Sequence, residues 1–75
     1  MENYDRVKTD ELDITRYTLR GKLHRLDGPA IEDASGYCEW YQHGLLHRED
    51  GPAVEYPDGY QEYWIRGVYQ PEPTV

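Results

Sequence analysis

Three observations predict an all-β fold built as an antiparallel meander of hairpins. The first is a duplication: residues 21–39 read GKLHRLDGPAIEDASGYCE and residues 44–62 read GLLHREDGPAVEYPDGYQE, offset by 23 at every matched position. Gly, Leu, His, Arg, Asp, Gly, Pro, Ala, Glu, Gly, Tyr and Glu recur in place, and Ile31 becomes Val54, which marks a repeat protein. The second is that an apolar spacing of three and four never persists long enough for an amphipathic helix. The third is that glycine turns arrive at short intervals between alternating β-branched and aromatic residues.

Residues 1–13 carry mixed charge and no turn signal, and read as a frayed or extended N-terminal arm. A single capped helical turn at Thr9-Asp10-Glu11-Leu12 is the alternative. Residues 14–19 (ITRYTL) alternate apolar and polar side chains and read as a strand. An aromatic pair position recurs at Tyr17-Thr18, Trp40-Tyr41 and Tyr63-Trp64, each followed by a glycine at Gly21, Gly44 and Gly67. Arg20-Gly21, His43-Gly44 and Arg66-Gly67 suit two-residue hairpin turns, because glycine accepts the positive φ these demand.

After each of the first two turns comes a short segment and then Arg-x-Asp-Gly-Pro-Ala. Asp27 and Asp50 suit Asx turns, accepting backbone amides just ahead. Pro29 and Pro52 lack an amide hydrogen, so each begins a strand or lies on an edge. The strands are Pro-Ala-Ile-Glu and Pro-Ala-Val-Glu-Tyr; Ala34-Ser35-Gly36 and Pro57-Asp58-Gly59 turn the chain again. Residues 37–42 and 60–65 return as strands, and Gln70-Pro71-Glu72-Pro73 stops the pattern. The expected organisation is one domain of about eight short strands. It comprises the arm (1–13), a first repeat (17–39), a second (40–62), a partial third (63–70) and a tail (71–75).

At this length the burial gain and the ordering cost nearly cancel, so the core needs a supplement. Cys38 is the only cysteine, which excludes an intrachain disulfide and a four-cysteine zinc site. A reducing, cytoplasmic setting is expected, since no signal peptide or apolar span is present. Phenylalanine is absent while tyrosine occurs eight times and tryptophan twice, so the apolar content lies in rings with a polar handle. The net charge is −7, with two excess acids over residues 1–38 and five over 39–75. Such a surface repels phosphate backbones and lipid anions, leaving a basic protein surface as the expected partner, with no direct nucleic acid and no membrane.

The period of 23, the aromatic pair, the Trp-Tyr-x-x-Gly or Tyr-Trp-x-x-Gly glycine and the second turn glycine before Tyr resemble a MORN-type repeat. The unit is most similar to the His-Arg-x-Asp-Gly-Pro-Ala variant met in small bacterial, phage and large-virus proteins. The likeness covers residues 17–69 and implies a ribbon of successive β-hairpins. It carries no catalytic residues to this chain.

Two sets of residues invite a chemical reading. His24-Arg25-x-Asp27 and His47-Arg48-x-Asp50 offer histidine beside carboxylate, as an acid–base pair or a metal site would. Yet a single active site has no need of two copies, whereas a repeated turn needs its parts in every copy. His24, Arg25, Asp27, Gly28, Pro29, His47, Arg48, Asp50, Gly51 and Pro52 are therefore assigned to turn structure: Asp caps, Arg pairs with a neighbouring carboxylate, and His packs against a ring. No catalytic residue, metal ligand or cofactor is assigned, because metal binding needs three or four converging ligands. The recurring pairs Glu32/Glu55 and Glu39/Glu62 lack the cleft that glycosidase chemistry needs.

The second set is acidic and aromatic. Glu49, Asp50, Glu55, Asp58 and Glu62 are interrupted by no base, and with Tyr56, Tyr60 and Trp64 they suit steering and gripping a basic partner. The function expected is a non-enzymatic protein-interaction module. Its narrower form is a phage-type inhibitor of a host nucleic-acid-handling protein, in anti-restriction or anti-CRISPR defence, acting in the host cytoplasm. A structural repeat of a virion or larger complex, and a small His/Asp or metal enzyme, are the rival classes. Two repeats with open sheet edges also predict a homodimer joined through a terminal hairpin or an aromatic face.

Overall fold

Alternation of polar and ring-bearing residues between positive-φ turns produces ten strands among the described residues, which in this computed structural model are 5–9 and 13–71. They are β1 (Asp5–Thr9), β2 (Ile14–Leu19), β3 (Lys22–Leu23), β4 (Ile31–Glu32), β5 (Cys38–Glu39), β6 (Tyr41–Gln42), β7 (Leu45–Leu46), β8 (Val54–Glu55), β9 (Gln61–Ile65) and β10 (Val68–Gln70). Every pairing is antiparallel. One sheet runs β1-β2-β4-β5-β8-β9-β10 with β3 attached to β2, and β6 pairs with β7 separately. The fold is the expected all-β hairpin meander. Among the described residues no helix is long and apolar enough to cross a membrane.

The strand number exceeds the expected eight for two reasons. Residues 5–9 of the expected arm are extended and also paired, in register from Asp5↔Thr18 to Thr9↔Ile14. The capped turn considered at Thr9–Leu12 lies outside the described residues except for Thr9, which ends β1. The other cause is Trp40, which divides the strand expected over 37–42 into β5 and β6. Trp40 stands where its strand changes neighbours: its N–H donates to the Ala53 carbonyl (2.7 Å) and its carbonyl accepts from His47 N–H (3.0 Å). Tyr17 makes the same exchange with Ala30 (2.8 Å) and His24 (3.1 Å). There β2 stays continuous, because β1 runs along its other side.

Both central residues of each two-residue hairpin turn have positive φ: 53° and 79° at Arg20-Gly21, 53° and 83° at His43-Gly44, 47° and 78° at Arg66-Gly67. That is the type I′ geometry whose twist matches paired strands. At the opposite end of the ribbon, Asp33 Oδ1 accepts from Ser35 N–H (2.9 Å) and Ser35 Oγ (2.6 Å). Those bonds, the hydroxyl first, hold its carboxyl below the usual range. Asp58 Oδ1 accepts from Tyr60 N–H (2.9 Å) in the corresponding turn.

The core is thin. Among the described residues its buried apolar members are Ala30, Ala53 and Val54, joined by Thr15, His24 and His47. Ala30 and Ala53 are wholly enclosed, and their N–H groups donate to the Glu39 and Glu62 carbonyls (2.8 Å each) while their own carbonyls accept from Tyr17 and Trp40.

Candidate functional site

The duplicated His-Arg-x-Asp-Gly-Pro turn assembles identically in both units. Arg25 donates from Nε to Asp27 (3.2 Å) and from Nη1 to the Pro29 carbonyl (3.2 Å), with its guanidinium 4.0 Å over the Tyr17 ring. Arg48 does the same with Asp50 (3.1 Å), Pro52 (3.1 Å) and Trp40 (3.8 Å), and reaches Glu55 Oε1 at 3.4 Å. At Gly28 and Gly51 a Cβ would fall 2.7 Å and 2.8 Å from the guanidinium carbon, so the arginine would have to shift to admit one. Each arginine pairs with a neighbouring carboxylate, the aspartates taking its Nε.

The histidines also serve as acceptors for backbone amides. His24 Nδ1 accepts the backbone N–H of His43, and His47 Nδ1 that of Arg66, each at 2.9 Å. Each histidine thus pins the next hairpin turn to its own unit. His24 also lies near the His43 ring, with centroids 4.4 Å apart. Open grooves of about 310 Å³ flank His47, one lined by Leu26, Trp40, Gln42, Arg48, Glu49 and Asp50. In both units Nδ1 is thus taken up by a backbone amide. Among the described residues no three His, Cys, Asp or Glu side chains are placed to hold a metal ion.

Cross-strand register divides the remaining side chains between two faces, because directly paired residues project to the same side. One row is Thr15–Glu32–Cys38–Glu55–Gln61; the other is Arg16–Ile31–Glu39–Val54–Glu62. On the first row burial, followed by the nearby Glu55 charge, pushes the Cys38 thiol up, away from the reactive thiolate.

The second row carries a duplicated carboxylate cradle. Glu39 accepts from the hydroxyls of Tyr37 and Tyr41, the latter at 2.9 Å. Glu62, 23 residues on, accepts from Tyr60 (3.1 Å) and from Trp64 Nε1 (3.0 Å). Ring contacts extend the surface: Tyr37 to Tyr56 at 5.0 Å, Tyr56 to Tyr60 at 5.4 Å and Trp64 to Tyr69 at 5.5 Å. Burial and then the Glu39 bond push the Tyr41 phenol up to about 12 and the Tyr37 phenol higher still. The Glu62 bond raises the Tyr60 phenol. These shifts keep the rings protonated as donors to the carboxylates.

Of the residues expected on an acidic aromatic surface, Tyr56, Tyr60, Glu62 and Trp64 share this face, with Asp58 in the adjoining turn. The other three stand elsewhere. Glu55 lies on the opposite row beside Arg48, Asp50 is bonded to Arg48 Nε, and Glu49 Oε2 stands 4.0 Å from His47 Nε2. The face also holds Tyr37, Glu39, Tyr41 and Tyr69, which the acid-run criterion misses. The signal that finds the first three is the repeat itself, since 37, 39 and 41 are 60, 62 and 64 less the period. Comparison of the chain with protein-family models, curated proteins and solved structures finds no match.

Proposed function

We propose that the chain is a non-enzymatic interaction module that grips a basic segment of another protein across the face carrying Glu39 and Glu62. The observation that supports this reading is the duplicated cradle: each carboxylate is oriented by two ring donors on one partly exposed face. A carboxylate already fixed in place loses little side-chain freedom on binding, and the rings beside it offer π faces to a cation. The opposite face shows the same chemistry satisfied internally, where Arg48 lies on Trp40 and reaches Asp50 and Glu55. An incoming arginine or lysine would find rings and a carboxylate in a similar combination on the face carrying Glu39 and Glu62.

The net charge of −7 supplies the long-range attraction for such a partner, and it repels nucleic acid and anionic lipid. Glu39 and Glu62 stand two strands apart, about 10 Å by ordinary strand spacing. That separation favours individual cationic side chains, one per cradle. Calorimetric titration with an arginine- and lysine-rich peptide tests the reading. Binding should weaken about tenfold in Glu39→Gln and Glu62→Gln and fall as salt rises. Unchanged affinity in both variants would overturn it.

A further inference from the structure

The joints between units follow a rule that the last hairpin leaves open. Gly44 N–H donates to the Leu23 carbonyl and Gly67 N–H to the Leu46 carbonyl, each at 2.8 Å. Beside each glycine packs the side chain one residue earlier, Lys22 against Gly44 and Leu45 against Gly67. One period further on, these positions are Tyr69 and Val68 in β10, and β10 pairs with β9 alone among the described residues. Val68 is 61% exposed and Tyr69 48%. Pro71 stands where Arg25 and Arg48 stand in the earlier units, and it has no N–H to continue the pattern.

We infer that β10 is the seam of a two-fold homodimer, in which it pairs antiparallel with β10 of a second copy. Three features select that occupant. First, the two ends of the sheet differ. The outer strand β1 carries Asp5 and Arg6, charges that discourage edge pairing, whereas Val68-Tyr69-Gln70 has none. One adhesive edge closes on itself as a dimer, while two would propagate a fibre. Second, in a chain of net charge −7 an uncharged edge lets two copies meet without like charges directly opposed.

Third, the hydrogen-bond pattern fits a two-fold axis at Tyr69. Tyr69 faces Trp64 as Leu46 faces Tyr41 and Leu23 faces Thr18. Leu23 and Leu46 turn their carbonyls outward to the next unit, and in an antiparallel ladder a residue's N–H and C=O point to the same side. Tyr69 therefore offers both groups outward. Two copies related at this residue exchange both bonds in one pair, with Val68 opposite Gln70. This inference does not depend on the proposed basic partner, and Glu39 and Glu62 are not needed for it.

Analytical ultracentrifugation of the full chain from micromolar to several hundred micromolar tests it. A monomer–dimer equilibrium is expected, weakened at least about tenfold by Val68→Lys and by Tyr69→Pro, with Val7→Lys on β1 as the unaffected control. Far-ultraviolet circular dichroism separates lost association from lost folding. Hydrogen exchange of the wild-type Tyr69 amide should slow as the dimer fills. A monomer throughout, association indifferent to both β10 variants, or growth beyond the dimer would each overturn it.

Discussion

His47 Nδ1 receives the backbone N–H of Arg66 at 2.9 Å across nineteen residues of chain, and His24 holds His43 in the same way. The residue held is the first central residue of a type I′ turn, at φ 47° in Arg66 and 53° in His43. The imidazole therefore fixes a left-handed backbone position and joins one unit to the next. A buried acceptor aimed at that amide explains why histidine recurs with the turn.

Removing the acceptor leaves a turn amide unpaired beside a space once filled by the ring. His24→Leu should lower stability by about 1–3 kcal/mol. His24→Asn, whose Oδ1 can take the place of Nδ1, should recover part of that loss. Urea unfolding of both variants checks the contrast; equal losses would remove the hydrogen bond from the explanation.

A non-glycine residue in the left-handed region costs roughly 1–2 kcal/mol. Arg66→Asn should therefore stabilise the chain by about 1 kcal/mol, since asparagine tolerates the first place of a type I′ turn. Gly67→Ala should do the reverse, because φ there is 78° and its Cβ would stand 3.2 Å from Leu45 Cδ2. Thermal denaturation of the two variants should give shifts of opposite sign.

Arg48 joins a ring face, a backbone carbonyl and two carboxylates through one planar group. Lysine keeps the charge and loses the fork. Arg48→Lys should cost about 1–2 kcal/mol and alter the emission of Trp40. An unchanged unfolding midpoint would show that the stack is dispensable.

The Tyr41 phenol, raised to about 12 first by burial and then by its bond to Glu39, makes an alkaline prediction. Its folded pKa exceeds the ordinary value of 10, so its contribution is fully present below pH 10 and is lost as pH rises towards 12. Melting temperature should fall across that window, and Tyr41→Phe should fall less. The tyrosinate absorbance should appear late in the wild type and earlier in Glu39→Gln.

The turns and strands are legible in the sequence because their signals are local. Arg20-Gly21 and its two counterparts announce positive φ, and the period supplies the rest. The histidine joint is not legible in this way, since its partner lies nineteen residues off and is a backbone amide that any residue carries. Likewise Glu55 and Glu62 belong to one acid run, but the register of β8 and β9 sends them to opposite faces. The break at Trp40 escapes local reading because it depends on which neighbours flank each half of the strand. The pairing of β1 escapes it too, since residues 5–9 carry charge along their length and gain a strand from β2 rather than from their own pattern.

The most direct test of the interaction face is an amide-resolved NMR titration of the full chain with an arginine- and lysine-rich peptide. Shifts are expected at Tyr37, Glu39, Tyr41, Tyr60, Glu62 and the Trp64 indole N–H, with little change at Glu32, Cys38 or Glu55 on the other face. Shifts confined to that other face, or none at millimolar peptide, would contradict it.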